Sequence, residues 1–78
     1  MANIDKAFGL AVRQQRLQLE MSQENLAFHC GLHRTYISQI ERGLKSPSLR
    51  VIEILANSLK IKIHQLIELA EILKNVED

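Results

Sequence analysis

Met21-Ser22-Gln23-Glu24-Asn25-Leu26-Ala27-Phe28-His29-Cys30-Gly31-Leu32-His33-Arg34-Thr35-Tyr36-Ile37-Ser38-Gln39-Ile40-Glu41-Arg42-Gly43 is the stretch that decides the fold. Counted from Gln23, a small residue, Ala27, is fifth and a glycine, Gly31, is ninth. Branched apolar residues, Ile37 and Ile40, are fifteenth and eighteenth. Each type answers a steric need. Two helices crossing steeply at a short turn need a small side chain where their backbones approach. The turn needs a residue that tolerates positive φ. The second helix needs branched apolar residues inside to fix its angle. These are the requirements of a helix-turn-helix. The plainer alternative is an ordinary corner between two helices, and the agreement of four positions weighs against it.

Working outward, Ser22 is a good N-cap for the first of these helices, with Glu24 favourable in its first turn. Leu26 and Ala27 point inward, and Gly31 ends the segment. The next helix spans roughly Arg34 to Arg42 and stops at Gly43. Leu44-Lys45-Ser46-Pro47 follows as a loop, because its proline has no place in a helix interior. Upstream, a helix from about Ile4 to Leu19 is capped by Asn3. It carries Phe8, Ala11, Val12 and Leu19 on one side, with Arg13, Gln14 and Arg16 largely off it. Downstream, about Leu49 to Leu59 carries the stripe Ile52, Leu55, Ala56, Leu59. A last helix runs from about Ile63 to Val76. No stretch alternates apolar and polar over a strand's length, and no Asn-Gly or Asp-Gly turn occurs. The expected fold is therefore all-α, a compact five-helix domain. Residues 1–78 form one domain, with the helix-turn-helix at about 22–42 and a dimerisation helix at about 63–76.

Composition narrows the class. At 78 residues and 46% hydrophobic, the chain suits one small ordered domain rather than a disordered tail. No apolar run reaches membrane-spanning length. The start, Met1-Ala2-Asn3-Ile4-Asp5-Lys6, lacks the apolar segment of a secretory signal. The one cysteine, Cys30, allows no internal disulfide and suits a reducing cytoplasm. The net charge of +1 is a cancellation. Between Gly31 and Arg50, Arg34, Arg42, Lys45 and Arg50 stand against Glu41. From Val51 onward, Lys60, Lys62 and Lys74 stand against Glu53, Glu68, Glu71, Glu77 and Asp78. A basic segment thus precedes an acidic tail.

The outward face of the third helix points to a nucleic acid. With Ile37 and Ile40 inside, Arg34, Thr35, Ser38 and Gln39 face out. Arg forks onto guanine O6 and N7, Gln bonds adenine, and Thr offers a hydroxyl and a methyl for thymine. A solvated face of no special role would be richer in Glu and Lys. Arg42 and Lys45 suit phosphates, which supply affinity and salt dependence without sequence information. Helix N-termini add phosphate-holding amides at Gln23 and Ser48.

The last helix is too apolar for a monomer's edge. Ile63, Leu66, Ile67, Ala70 and Leu73 form one stripe, and Leu69, Ile72 and Val76 form a second beside it. The first packs on the domain. The second either stays exposed as an interface or packs on the N-terminal helix. An interface made of Ile63, Ile67, Leu69, Ile72, Leu73 and Val76 would pair two copies about a twofold axis. The two recognition helices would then lie roughly 34 Å apart on a near-palindromic operator. A chain this short also gains from a partner subunit's burial.

Other chemistries lack residues. His29, Cys30 and His33 lie close together but want a fourth zinc ligand, so no metal is expected. No glycine-rich phosphate loop, paired carboxylates or nucleophile–base pair occurs, so neither catalysis nor a cofactor is expected.

The stretch quoted at the outset resembles the phage-repressor-like (Xre/Cro-C1 type) helix-turn-helix family. The match is densest from Ser22 to Leu59 and covers nearly the whole chain. Within the family, His33-Arg34-Thr35-Tyr36-Ile37-Ser38 in so short a chain is similar to the controller proteins of restriction–modification systems. The resemblance implies a homodimeric transcription regulator that activates and represses by binding double-stranded operator DNA. Two dimers on adjacent sites and RNA polymerase are further candidate partners. It implies base reading by Arg34, Thr35, Ser38 and Gln39. Backbone contacts fall to Arg16, Gln23, Tyr36, Lys45, Ser46 and Ser48, and a structural salt bridge to Arg16 and Glu41. Glu20 and Lys60 stand where the family commonly has glycine, so other turn geometries are expected there. His33 is an indifferent N-cap, which blurs the start of the recognition helix. The alternatives are a phage or plasmid repressor of the same type, or an antitoxin-like protein-interaction module.

Overall fold

The computed structural model describes residues 3–77 as five helices: α1 (Ile4–Gln18), α2 (Gln23–Cys30), α3 (Arg34–Glu41), α4 (Leu49–Ser58) and α5 (Ile63–Glu77). Among the described residues there is no strand. Met1 and Ala2, assigned above to a start without a leader, lie outside them. So do Asp78 and the side chain of Glu77, both counted in the acidic tail.

The helices α1 to α4 each begin where a side chain satisfies an orphaned amide. Asn3 Oδ1 accepts from Lys6 N at 2.8 Å, Ser22 Oγ from Asn25 N at 3.0 Å, and Ser48 Oγ from Val51 N at 3.2 Å. In α2 the cap is reciprocal, Asn25 Oδ1 accepting from Ser22 N at 3.4 Å. His33 proves a working cap, its Nδ1 accepting from Thr35 N at 3.2 Å, so α3 has a defined start at Arg34.

Gly31, with φ of 68°, closes α2 in the left-handed conformation. Glu20 and Lys60 correct the expectation of other turn geometries. Both keep the left-handed conformation, with φ of 58° and 59°. The helix ends close regardless: Met21 N donates to Arg16 O, and Ile61 N to Ala56 O, each at 3.1 Å. Such a backbone bond offsets the roughly 1–2 kcal/mol that a side chain costs in this region.

The core gathers Phe8, Ala11 and Val12 of α1, Leu26 and Ala27 of α2, and Ile37 and Ile40 of α3. Leu55, Ala56 and Leu59 from α4 and its end, and Leu66 and Ala70 of α5, complete it. Ile52 and Leu19 are half-buried. The most extensive helix contact is between α1 and α5. Leu69 therefore corrects its place in an exposed stripe, for it is half-buried against the core with Ile63, Ile67 and Leu73. Packing on the N-terminal side accounts for that part of the stripe. Ile72 and Val76 remain outside, 52% and 76% exposed.

A second contact sets the attitude of α3. Gly9, in the middle of α1, is buried against the carboxyl end of α3. A Cβ there would lie 2.7 Å from the carbonyl oxygen of Glu41 and closer still to that of Ile40. One turn on, a Cβ at Gly43 would lie 2.7 Å from the Lys6 Cα. Two glycines thus let α1 and the end of α3 approach backbone to backbone.

Candidate nucleic-acid interface

The two fully buried isoleucines of α3, Ile37 and Ile40, orient the whole helix. Arg34 and Thr35 are consequently exposed, while Ser38 and Gln39, one turn on, are half-buried along the same side. Glu41 falls on the inner side and is 7% exposed. The structure thus brings the four residues expected to read bases onto one accessible face, beginning at the helix N-terminus.

Arg16 departs from the residue pattern, which put it off the apolar side of α1. It is only 7% exposed. Its Nε donates to Glu41 Oε2 at 2.7 Å and its second terminal nitrogen to Glu41 Oε1 at 3.0 Å. The remaining terminal nitrogen donates to the Met21 carbonyl at 2.8 Å. A bidentate pair with further partners is the geometry in which a buried guanidinium is tolerated. Three of the five guanidinium N–H groups of Arg16 are thus engaged inside the fold, and the Glu41 pair fixes the orientation of the rest. Gln23, at the first position of α2, joins the same carboxylate, its Nε2 donating to Glu41 Oε1 at 3.0 Å. Among the described residues no buried side-chain nitrogen or oxygen is left without a partner.

The other expected backbone-contact residues lie in α3, at its carboxyl end, and in the loop that leads to α4. Lys45 and Ser46 are exposed in that loop, and Leu44 N donates to Gln39 O at 2.9 Å to anchor it. Arg42 is exposed, with Nε donating to Ser38 O at 3.4 Å. Tyr36 is half-buried against the core. Ser48 has its hydroxyl engaged as the α4 cap.

Remote from this face, an open groove of about 1220 Å³ runs along the start of α5. Ile61, Ile63 and Ile67 line it, with Lys60, Lys62, Glu68 and Glu71 alongside. Ile61 was outside the sequence-derived interface because it precedes the helical stripe. Gly9 was missed altogether. A glycine in mid-helix between Ala7 and Ala11 was the available signal of a close backbone approach.

Cys30 is buried, and its Sγ lies 3.3 Å from Ser58 Oγ. Burial pushes its thiol above the ordinary range, and the Ser58 hydrogen bond offsets only part of this. Among the described residues, no three His, Cys, Asp or Glu side chains gather as metal ligands.

Similarity to known proteins extends over most of the chain. The helix-turn-helix family model matches residues 12–66. The control protein C.BamHI of Bacillus amyloliquefaciens is 49% identical over 71 residues, spanning 90% of this chain and 88% of that protein. The restriction-modification controller protein C.AhdI from Aeromonas hydrophila has a similar crystal structure. Its TM-score is 0.76 at 41% identity, over 78% of this chain and 92% of that one. The controller protein C.Esp1396I, as a tetramer with its natural 35 base-pair operator, gives a TM-score of 0.85 at 25% identity. That match covers 96% of this chain and 99% of the other.

Proposed function

The chain belongs to the helix-turn-helix family, and we propose that it is a sequence-specific DNA-binding transcription regulator, a homodimeric controller of restriction–modification gene expression. One observation carries this reading. Two buried isoleucines turn Arg34, Thr35, Ser38 and Gln39 to a common accessible face at the start of α3. In a major groove, that face offers a guanidinium fork for guanine, an amide for adenine, and hydroxyls with a methyl for thymine.

Residues 1–78 act in this reading as one DNA-binding domain. Gln23, Tyr36, Arg42, Lys45, Ser46 and Ser48 hold phosphates around the recognition helix. For Ser48 this is through the amides of the α4 start that its hydroxyl organises. Arg16 serves through its bridge to Glu41. Exposed Ile72 and Val76, with the half-buried Ile63, Ile67, Leu69 and Leu73, face a second copy along α5. The operator is then near-palindromic, with half-sites roughly 34 Å apart. A tetramer on a 35 base-pair operator, as in C.Esp1396I, supports two dimers on adjacent sites. Among the described residues no helix is long and apolar enough to cross a membrane, and the site of action is the bacterial cytoplasm. Contact with RNA polymerase would account for activation.

The test begins with selection of bound duplexes from a random DNA library. Arg34→Ala should weaken binding to the selected site by roughly 10–100-fold while circular dichroism is unchanged. Unchanged affinity in a gel shift refutes the assignment of α3 as the reading helix. A purified chain with no salt-sensitive DNA affinity points instead to a protein-interaction module.

A further inference from the structure

Glu41 does more than neutralise Arg16. Its Oε1 accepts two hydrogen bonds, one from Arg16 and one from the side-chain amide of Gln23, which opens α2. A carboxylate held against a guanidinium is an acceptor only, so the Gln23 group turned to it has to be the NH2. One N–H of that nitrogen is spent on Glu41 at 3.0 Å. The other is the only group on the amide with which Gln23 can meet a phosphate oxygen, since phosphate also only accepts. Gln23 is half-buried, so its amide is confined as well as directed.

We propose that Glu41, at the end of the recognition helix, is a positioning residue that presets the amide of Gln23 as a phosphate donor. This inference rests on the DNA-binding reading above. The carboxylate draws together Arg16 of α1, Gln23 of α2 and α3 itself. A phosphate gripped by Gln23 is thereby registered against the base-reading side chains through one atom, Glu41 Oε1. The ordering of a rotamer-rich side chain is completed on folding rather than on binding, which favours association.

Two measurements test it. The first uses the wild-type chain without DNA. In nitrogen–proton NMR, the two Gln23 side-chain amide protons should differ in solvent protection, one held and one exchanging. Operator should then shift the exchanging one. Equal, unprotected protons in the free chain overturn the proposal whatever the DNA data show. The second is a double-mutant cycle on operator affinity with Gln23→Ala and Glu41→Gln, with thermal unfolding measured alongside. Gln23→Ala should weaken binding roughly tenfold, as expected for a lost hydrogen bond to a charged group, and should lower the melting temperature by several degrees because its bond to Glu41 goes as well. In the Glu41→Gln background the same change should cost less than threefold. Equal costs in both backgrounds mean that Glu41 is structural only, and overturn the proposal. If Glu41→Gln does not fold, the NMR arm still decides. A chain with no salt-sensitive DNA affinity removes the DNA-binding reading and this inference with it, an outcome distinct from binding without coupling.

Discussion

Gly9→Ala separates a local rule from a tertiary one, because the two predict opposite signs. Gly9 lies inside α1, where helix propensity alone makes alanine more stable by roughly 0.5–1 kcal/mol. The fold says otherwise. The added Cβ would sit 2.7 Å from the Glu41 carbonyl oxygen, with the Ile40 oxygen nearer still. These atoms are backbone, so no rotamer change relieves the clash, and α1 must move away from α3 by on the order of 1 Å. Overpacking costs typically about 1–3 kcal/mol, and a rigid obstacle belongs at the upper end. The same displacement strains the Arg16–Glu41 pair, whose shorter contact is 2.7 Å. Set against the propensity gain, the net loss is about 2 kcal/mol. For a domain of this size that is a fall in melting temperature of roughly 8–16 °C. The assay is thermal unfolding by circular dichroism at fixed protein concentration, because the proposed pairing of two copies would make the midpoint concentration-dependent. Gly31→Ala is the contrasting control. Nothing lies within 4 Å of its added Cβ, and its φ of +68° makes its cost one of backbone strain alone. A Gly9→Ala chain that melts at or above the wild-type temperature refutes the close approach of α1 to α3.

Lys45→Ala should weaken binding to specific and random duplexes alike. It should reduce the slope of log affinity against log salt by about one per subunit, measured by anisotropy titration at several salt concentrations. Ile72→Glu together with Val76→Glu should yield folded monomers in sedimentation at concentrations where the wild type pairs, since both positions are exposed and the core is untouched. A surviving dimer moves the interface off α5. Cys30 should alkylate more slowly than a free thiol through neutral and mildly alkaline pH. Its raised pKa lowers the thiolate fraction, and the rate should climb only as pH approaches that raised value. A rate equal to that of a free thiol at pH 7 contradicts its burial.

Much of the proposed DNA-reading face was legible because it follows from short-range rules. The spacing of Ile37 and Ile40 sets which side of α3 is inside, and Arg34, Thr35, Ser38 and Gln39 then have only one side left. Arg16 was the opposite case. Helical periodicity put it off the apolar side of α1, and resemblance alone suggested its pairing with Glu41. The pair spans 25 residues of sequence, so no local period connects the two. Leu69 was misplaced for a related reason. A stripe shows which residues share a side, but not how far a neighbouring helix reaches round it.

By itself, the sequence determined the five helices, the caps Asn3 and Ser22, the left-handed turn at Gly31 and the inner faces, all consequences of backbone sterics and periodicity within a few residues. The tertiary structure alone decided that Gly9 meets the carbonyls of α3 and that Gln23 shares a carboxylate with Arg16. It also decided that Ile72 and Val76 stay uncovered while Leu69 does not. These depend on the distance between helices brought together by the core, and that distance is a property of the packed whole.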